Sequence, residues 1–428
     1  MSQIAAHHTH SHDDHGHHHA DLSDANVMMP PGAAAKFSMP LLVIGLVGVV
    51  ITVVGGFALG LRHALAAYHV GAMTALAMGL GGMFFVLLFH LMGAGWAVTL
   101  RRQFENLMSL APIAAIMVLP VLVIDILAGG QLFAWLGEDA RKTDTLLQGK
   151  AGYLSPMFFT IRVLFYILVW AYLAKRLRGL SIEQDRSGDK WLSNRARFTS
   201  SWGMLIFALT TAFAAFDWLK SVDYRFFSTM WGVYYFAGAA GTAIAVVIII
   251  VAMLRGQGRL KGLVTDEHAH DLAKILFAFT VFWAYIAFSQ YFLIWYANIP
   301  EETAFYNARK TGGWQYLSAF ICFGHFIVPF YLLLWRRVRR TFGLLAFMAM
   351  WAILMEVVDL AWIVRPMVYA GAQYPDKIML SAVWLDLAGA LGPICLFLGL
   401  LARRVCSGVL IPIRDPRLKE ALAHKNYV

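Results

Sequence analysis

Two acidic residues of an apolar segment, Glu356 and Asp359, are the side chains of this sequence best suited to chemistry. They lie three residues apart, so a helix presents them on one face, about one turn apart. Like charges at this spacing favour a state in which one carboxyl holds a proton, and a proton relay uses such a group. Asp386 lies about two turns into the next apolar segment. We therefore predict that Glu356, Asp359 and Asp386 conduct protons.

Residues 271–306 supply further polar groups in apolar surroundings. The first two thirds of this stretch are apolar enough to cross a membrane, whereas polar and aromatic side chains interrupt the rest, and Pro300 ends the helix. Polar groups in lipid cost free energy unless a partner or a cavity receives them, so we expect this helix to face other helices. Further candidates for the proton path are Tyr285, Ser289, Gln290 and Tyr296, together with His90 and His325 from other segments.

Several other ionisable residues are candidates for structural ion pairs, because a buried charge needs a partner. The estimated depths along the helices bring Asp125 near Arg162 on the neighbouring segment. In the segment that carries Asp359, Arg365 lies near the end and is the expected partner of that carboxylate. For both pairs, a structural role and a functional role stay open.

Asp217 and Lys220 are further candidates for structural ion pairs. They lie at one end of their apolar segment, so we also interpret them as markers of the membrane boundary, since charges at helix ends can reach the headgroups. His90 and His325 raise the question of a b-type haem. Ligation by two histidines needs facing residues at equal depth, and the estimated depths of these two differ. Packing or hydrogen bonding is therefore the favoured role for both histidines.

The composition is that of a membrane protein. Of the 428 residues, 60% are hydrophobic and 14% are charged, against about 25% charged residues in a soluble domain. The formal net charge of +10 falls in loops between apolar segments, which indicates membrane orientation and not nucleic-acid binding. Ten apolar segments have about the length that a bilayer needs: 40–61, 67–92, 105–128, 155–175, 199–220, 227–254, 271–298, 313–335, 341–365 and 379–402.

The distribution of basic residues predicts the orientation. Most Lys and Arg residues lie in the terminal segments and in the loops after the second, fourth, sixth and eighth apolar segments. The positive-inside rule then places both termini in the cytoplasm, as an even number of spans requires. The N-terminus lacks the pattern of a secretory signal peptide. We predict a cytoplasmic tail (1–38), a ten-helix transmembrane domain (39–403) and a cytoplasmic C-terminal tail (404–428).

Histidine and cysteine usage bears on cofactors. Eight of the fifteen histidines fall in the N-terminal tail, at positions 7, 8, 10, 12, 15, 17, 18 and 19. Metal capture is one interpretation, but without fixed spacing a flexible, solvated tail is favoured. Cys322, Cys395 and Cys406 are too far apart for a CxxC motif, which argues against a c-type haem or an iron–sulfur cluster. We predict no metal site and no cofactor bound by this chain.

Two long stretches resemble a known family. Residues 216–238 read FDWLKSVDYRFFSTMWGVYYFAG and residues 288–306 read FSQYFLIWYANIPEETAFY. Both closely resemble the ActF subunit of alternative complex III, and residues 90–102, HLMGAGWAVTLRR, are similar to the exit of the family's second helix. The resemblance covers essentially all of the chain after the tail.

The resemblance implies an all-α, NrfD-like fold of ten transmembrane helices, with two four-helix bundles and two flanking helices. It also implies membership of a quinol oxidoreductase of the bacterial inner membrane that passes electrons to cytochrome c, a high-potential iron–sulfur protein or an oxidase. Haem c and iron–sulfur clusters then belong to partner subunits, and quinol is expected nearby. The implied partners are the NrfD-like sister subunit ActC, multi-haem cytochrome and iron–sulfur subunits, membrane lipids and the quinol pool, with no nucleic acid.

Within such a complex, the resemblance implies a scaffold and proton-conducting role, and the better-supported quinol site is that of ActC. The polar residues gather near the non-cytoplasmic end of the predicted helices, which favours outward proton release over a complete pump path. Two alternatives stay open. One is a purely structural subunit in which every charge is satisfied internally. The other is a secondary transporter, which also contains intramembrane acids within repeated bundles.

Overall fold

The computed structural model describes residues 21–371, 374–375 and 378–425 of the chain. Within these residues, ten helices are long and apolar enough to cross a membrane, which confirms the predicted all-α, multi-pass fold. In chain order they are α1 Ala33–Leu59, α2 Leu61–Met92, α3 Val98–Leu127, α4 Pro156–Ser187, α5 Trp191–Trp218, α6 Trp231–Gly256, α7 Asp266–Ala297, α8 Trp314–Leu334, α9 Phe342–Val364 and α10 Val383–Cys406.

Short elements connect these helices. Residues 370–371 and 374–375 form two-residue strands, β1 and β2, which pair antiparallel with Ala370 opposite Pro375. In the middle of α8, the segment Cys322–Ile327 is π-helical. The short helices are Asp24–Val27, Ala134–Leu136, Glu138–Thr143, Thr145–Gly149, Lys220–Asp223, Pro300–Asn307, Arg336–Arg340, Pro366–Tyr369, Leu380–Ala382 and Leu418–Leu422.

The ten long helices form two four-helix bundles with two helices beside them. Helices α2 to α5 pack in a ring in which each contacts the next and α5 returns to α2, and we call this ring the first bundle. Helices α6 to α9 make the same arrangement, the second bundle. Helix α2 also packs against α6 and so joins the bundles, while α1 and α10 pack on each other and on α2. This is the arrangement that the resemblance implied.

Small residues allow α2 to touch so many neighbours. A methyl group added at Gly79 would lie 2.7 Å from the Ala111 Cα of α3, and one at Gly71 would lie 2.5 Å from the Ala390 carbonyl of α10. Neither separation leaves room for a side chain. Glycine at these two positions therefore allows α2 to approach α3 and α10 more closely than any other residue would. Within lipid, such close van der Waals contact is a main source of helix association.

Both described ends of the chain lie at the same end of the bundles, which we call the termini end; the other we call the opposite end. Residues 21–32 are not part of a free tail, because Asn26 donates from Nδ2 to the Lys261 carbonyl at 2.9 Å and the Leu410 N–H donates to the Val27 carbonyl at 2.8 Å. Helix α1 starts at Ala33, six residues before the predicted boundary. The histidines at positions 7–19 lie outside the described residues.

Candidate functional site

The acid of the first bundle is held by an arginine. Asp217 on α5 is fully buried and accepts two hydrogen bonds from Arg162 on α4, from Nε and Nη2, both at 2.8 Å. The Tyr166 hydroxyl donates to the same carboxylate at 2.9 Å. The predicted pairing of Arg162 with Asp125 is therefore wrong, whereas the prediction that Arg162 and Asp217 each belong to a structural ion pair is confirmed, with each as the partner of the other. Three charge-assisted bonds leave this carboxylate well satisfied.

Asp125 binds backbone N–H groups of its own loop instead of an arginine. Its carboxylate accepts the backbone N–H groups of Leu132 at 2.7 Å and Phe133 at 2.8 Å. Helix α3 ends at Leu127, and the chain then turns back over the end of the helix. This turn places the N–H groups of Leu132 and Phe133 at the Asp125 carboxylate, so backbone donors and not an arginine bind it. Lys220 is partly buried, with its Nζ 5.8 Å from the centre of the Phe216 ring.

Arg365 pairs with Asp386 and not with Asp359, so the second predicted pair is also wrong. The two charged groups are 2.8 Å apart, and Arg365 also donates to the His63 carbonyl at 3.2 Å. Arg365 follows the last residue of α9, and from there its side chain extends toward α10 and α2. The structure thus separates Asp386 from the other two acids of the predicted proton path and gives it a cationic partner.

Glu356 and Asp359 lie inside the second bundle, and each is only 2% exposed. Asp359 accepts the Tyr234 hydroxyl at 2.6 Å and the Trp283 Nε1–H at 3.3 Å. Glu356 faces Gly238 of α6, where a methyl group would lie 2.7 Å from its Oε1. Among the described residues, none donates a hydrogen bond to Glu356. These two carboxyls therefore differ from Asp217 in having no cation bound directly to them.

A cavity of about 890 Å³ reaches Asp359 from the opposite end of the second bundle. Exposed Lys310 and Gln315 lie at its outer end, and exposed Tyr285 and Phe288 lie at its side. Glu356 is one turn deeper on α9 than Asp359 and lies away from the mouth. Seven further lining residues are aromatic: Trp231, Tyr234, Trp283, Tyr291, Tyr306, Phe326 and Trp362.

Arg309 supplies a positive charge to the cavity wall, and sequence reasoning missed it. Its guanidinium donates to the carbonyls of Phe305, Trp362 and Ile363 at 2.6, 3.0 and 2.7 Å. It also lies 3.5 Å from the centre of the Phe305 ring. Burial lowers the pKa of Arg309 to about 9, so the group stays charged at neutral pH. No regular spacing marks this residue, because it lies in the loop before α8.

The polar face predicted for α7 is mostly on the outside. Tyr285 is 65% exposed and Tyr296 is 77% exposed, so the expectation that this part of the helix faces other helices is wrong. Aromatic rings with a polar tip are enriched at membrane interfaces, which explains the position of Tyr296 in the last turn of α7, whereas Tyr285 lies about three turns deeper. Ser289 and Gln290 are partly buried, and Gln290 accepts the Ser228 hydroxyl at 2.5 Å. Of these four, only Tyr285 lines the cavity.

The two candidate histidines lie far apart along the bundles. His325 is in the π-helical segment of α8 and stacks on Trp283, with ring centres 3.8 Å apart. His90 is in the last turn of α2, at the termini end. This arrangement agrees with packing roles and with the predicted difference in depth. The part of the chain that the structure describes contains no group of three or more His, Cys, Asp or Glu residues that could hold a metal ion.

A buried ionic cluster at the termini end was not predicted. Arg101 pairs with Asp415 at 2.6 Å and with Glu105 at 3.2 Å, and Arg102 pairs with Glu105 at 3.1 Å and with Asp185. The predicted segment began at residue 105, whereas α3 begins at Val98, so these arginines belong to its first two turns. The spacing of Arg101, Arg102 and Glu105, three and four residues apart, was the available signal.

Comparison with models of known protein families gives no match, and comparison with curated proteins gives none either. The chain is a multi-pass membrane protein by its helices, and its candidate site is the Glu356–Asp359 pair with the adjoining cavity.

Proposed function

We propose that this chain is an ActF-type membrane subunit of a quinol oxidoreductase, the alternative complex III, in the bacterial inner membrane. It acts there as a scaffold and as a path for proton release, while partner subunits carry the haem and iron–sulfur centres. The likeness of residues 216–238 and 288–306 to the family supports this assignment, as does the arrangement of two four-helix bundles with two flanking helices. Both termini then face the cytoplasm, and the opposite end faces the periplasm.

The observation that carries the proton-release role is the position of Asp359 between a buried acid and an open cavity. Glu356 lies one turn deeper on the same helix, and the cavity at Asp359 opens at the opposite end. An ionisable side chain inside a membrane protein costs free energy, so such residues usually have a charged partner or a function. Asp217 is paired with an arginine, whereas Glu356 has no described donor and no bound cation.

In this path, protons move outward through the second bundle. Glu356 accepts a proton within the bundle and passes it along the face of α9 to Asp359. The Tyr234 hydroxyl and the Trp283 N–H hold the Asp359 carboxylate in place. From Asp359, the proton reaches water that enters the cavity near Lys310 and Gln315. Asp386 has no part in this path, because Arg365 holds it elsewhere.

The termini end offers no counterpart to this path among the described residues. Its deepest acid, Glu105, is in contact with both Arg101 and Arg102, and such a doubly paired carboxylate is a structural group. The subunit therefore provides an exit for protons, and the proposal does not include a route across the whole membrane.

The test is to replace Glu356 by Gln and Asp359 by Asn, together, in the assembled complex reconstituted into vesicles. We expect quinol-driven proton release to the outside to fall at least about tenfold relative to electron transfer, because two proton carriers are lost. Glu301→Gln, which removes an exposed carboxylate near the same end, serves as the matched control and is expected to behave as wild type.

Unchanged proton release in the double variant would refute the proton path and leave a purely structural subunit. Solute uptake by vesicles that contain only this chain would instead favour a transporter. Purification of the chain without multi-haem cytochrome and iron–sulfur partners would contradict the assignment to the complex.

A further inference from the structure

A smaller cavity at the opposite end of the first bundle has two cations in its wall. Its volume of about 330 Å³ lies in the range of pockets that enclose small ligands, roughly 300–1,000 Å³. Lys150 and Lys220 line this cavity, and none of the described residues that line it is an Asp or a Glu. We infer that the cavity binds the phosphate group of an anionic phospholipid, whose acyl chains lie along the outer surface of α4 and α5.

Lys220 has donor groups that the protein leaves unused. Its Nζ lies 5.8 Å from the centre of the Phe216 ring, and among the described residues none accepts a hydrogen bond from it. Asp223 is close enough to attract Lys220, but it does not line the cavity, and the two form no ion pair in the described structure. Because an ammonium group has three donors, Lys220 can direct all of them to an anion that enters the cavity.

Lys150 is only partly satisfied. Its Nζ donates to the Tyr224 carbonyl at 2.6 Å and lies 3.9 Å from the centre of the Phe227 ring. The other donors of this ammonium group remain for a ligand. Lys150 and Lys220 are close enough for their charges to repel each other, so a negative group in the cavity that they share relieves this repulsion. A phosphate diester carries a negative charge and offers an oxygen to each ammonium group.

The cavity lies at the depth where lipid headgroups are expected. Lys220 is two residues past Trp218, the last residue of α5, and Lys150 is six residues before Pro156, the first residue of α4. The ends of membrane-spanning helices lie near the boundary between acyl chains and water. The two ammonium groups therefore lie at about the height of the lipid phosphates.

Exposed aromatic rings connect the cavity with the lipid-facing surface. The Tyr153 ring, in the cavity wall, is 6.3 Å from the ring of Phe158 on α4 and 6.4 Å from that of Phe213 on α5. Phe158 and Phe213 are both exposed, and further into the bilayer Ile161 of α4 and Leu209 of α5 are exposed as well. An acyl chain can therefore run from the cavity along both helices, whereas a soluble anion gains nothing from this apolar surface.

This inference goes beyond the proposed proton path and does not rest on it, because the cavity belongs to the other bundle. A bound phospholipid gives the first bundle a ligand of its own, and it holds the loop of Lys150 to the end of α5. Attraction between basic side chains near the ends of transmembrane helices and anionic headgroups is a general source of lipid recognition.

The test is native mass spectrometry of the full chain in a neutral detergent, with phosphatidylglycerol and phosphatidylcholine added separately. The two lipids carry the same acyl chains, and only phosphatidylglycerol has a net negative charge. We expect phosphatidylglycerol to stay bound at a concentration at which phosphatidylcholine does not. Inorganic phosphate is expected not to displace it, because phosphate lacks the acyl chains. This comparison uses the wild-type chain and needs no variant to fold.

Three variants place the lipid at these lysines. Lys220→Gln removes the ammonium group without breaking a described hydrogen bond and is expected to weaken phosphatidylglycerol binding about tenfold. Lys220→Arg keeps the charge and is expected to bind within about threefold of wild type. Lys142→Gln removes an exposed lysine at the same end but outside the cavity, and this matched control is expected to bind as wild type. The melting temperature without added lipid checks that each variant is folded.

Equal retention of the two lipids by the wild-type chain would overturn the inference, as would equal affinities of Lys220→Gln and Lys142→Gln for phosphatidylglycerol. Displacement of phosphatidylglycerol by inorganic phosphate would also overturn it, because the lysines would then bind a soluble anion and not a lipid. None of these results bears on the proposed proton path, since Glu356 and Asp359 are unchanged in every variant.

Discussion

The two bundles bury acids in different ways. In the first bundle, Asp217 accepts two hydrogen bonds from Arg162 and a third from Tyr166, and it does not line the large cavity of the second bundle. In the second, Asp359 has only neutral donors and lines a cavity, and Glu356 has no described donor. The same kind of residue is therefore held in two different ways. The difference teaches that burial alone does not separate the two kinds of acid, whereas their direct partners do, and the proposed proton path depends on that distinction.

The largest expected effect comes from breaking the pair in the first bundle. Arg162→Met leaves Asp217 buried without its cation, and removing one partner of a buried ion pair costs about 3–5 kcal/mol. We expect a much lower melting temperature of the purified protein and a poor yield. Arg176→Met, at an exposed position of the same helix, is expected to melt as wild type.

The comparison is strongest if Asp359→Asn is measured beside Arg162→Met. Asp359→Asn leaves no cation without its direct partner, so we expect this variant to lower the free energy of unfolding by only about 1 kcal/mol. Equal losses of stability in both variants would show that the two bundles bury their acids for the same reason.

A smaller effect is expected from the glycine that faces Glu356. A methyl group at Gly238 would overlap the Glu356 carboxyl, whereas one at Gly241, a turn further along α6, meets nothing closer than the Phe279 Cβ at 3.8 Å. We expect Gly238→Ala to displace Glu356 and to lower proton release at least about twofold, because proton transfer depends on the position of the carboxyl. Gly241→Ala is the control. Equal proton release in both variants would argue against a role for Glu356.

The smallest effect concerns an acid in the loop at the opposite end, outside both bundles. The Tyr224 hydroxyl donates to Asp144 at 2.6 Å, and this bond, together with Arg225, lowers the pKa of Asp144 from 3.8 to about 2. A lowered pKa in the folded state stabilises the fold above pH 3.8, and this contribution is lost as the pH falls toward 2.

Asp144→Asn is therefore expected to reduce the melting temperature by a few degrees at pH 7 and progressively less between pH 4 and pH 2. Asp139→Asn, an exposed carboxylate of the same loop, is the control. A difference between wild type and Asp144→Asn that is the same at pH 7 and at pH 2 would contradict this role of Asp144.

Much of the fold is readable from the sequence, because a membrane span needs a long apolar run and ten such runs are present. The ends of the helices were harder to predict from the sequence. Arg101 and Arg102 looked like loop residues, yet they lie in the first two turns of α3 and pair with acids from other parts of the chain. Their buried partners include Asp415, more than 300 residues away, and no local pattern shows such a contact.

The candidate site was predictable in part. The spacing of Glu356 and Asp359 predicted that both acids lie on one helix face, and the structure buries both on α9, because that relation depends only on helix geometry. The ion pairs were not predictable, since depth along a helix does not say in which direction a side chain points. The structure pairs Arg162 with Asp217 and Arg365 with Asp386, and helix depth alone predicted neither pair. Tyr285 and Tyr296 were placed on the wrong side for the same reason.

The packing of α1 has a consequence for how the protein is made. Of the ten long helices, α1 is the first to leave the ribosome, yet it packs chiefly on α10, the last of the ten. Gly45, Gly48 and Gly55 of α1 meet residues 384–396, so a chain that is still growing offers nothing to receive them. Until α10 has been made, α1 must stay in the bilayer with its glycine face in contact with lipid or with a chaperone, and the bundle closes only when the first of the ten helices meets the tenth.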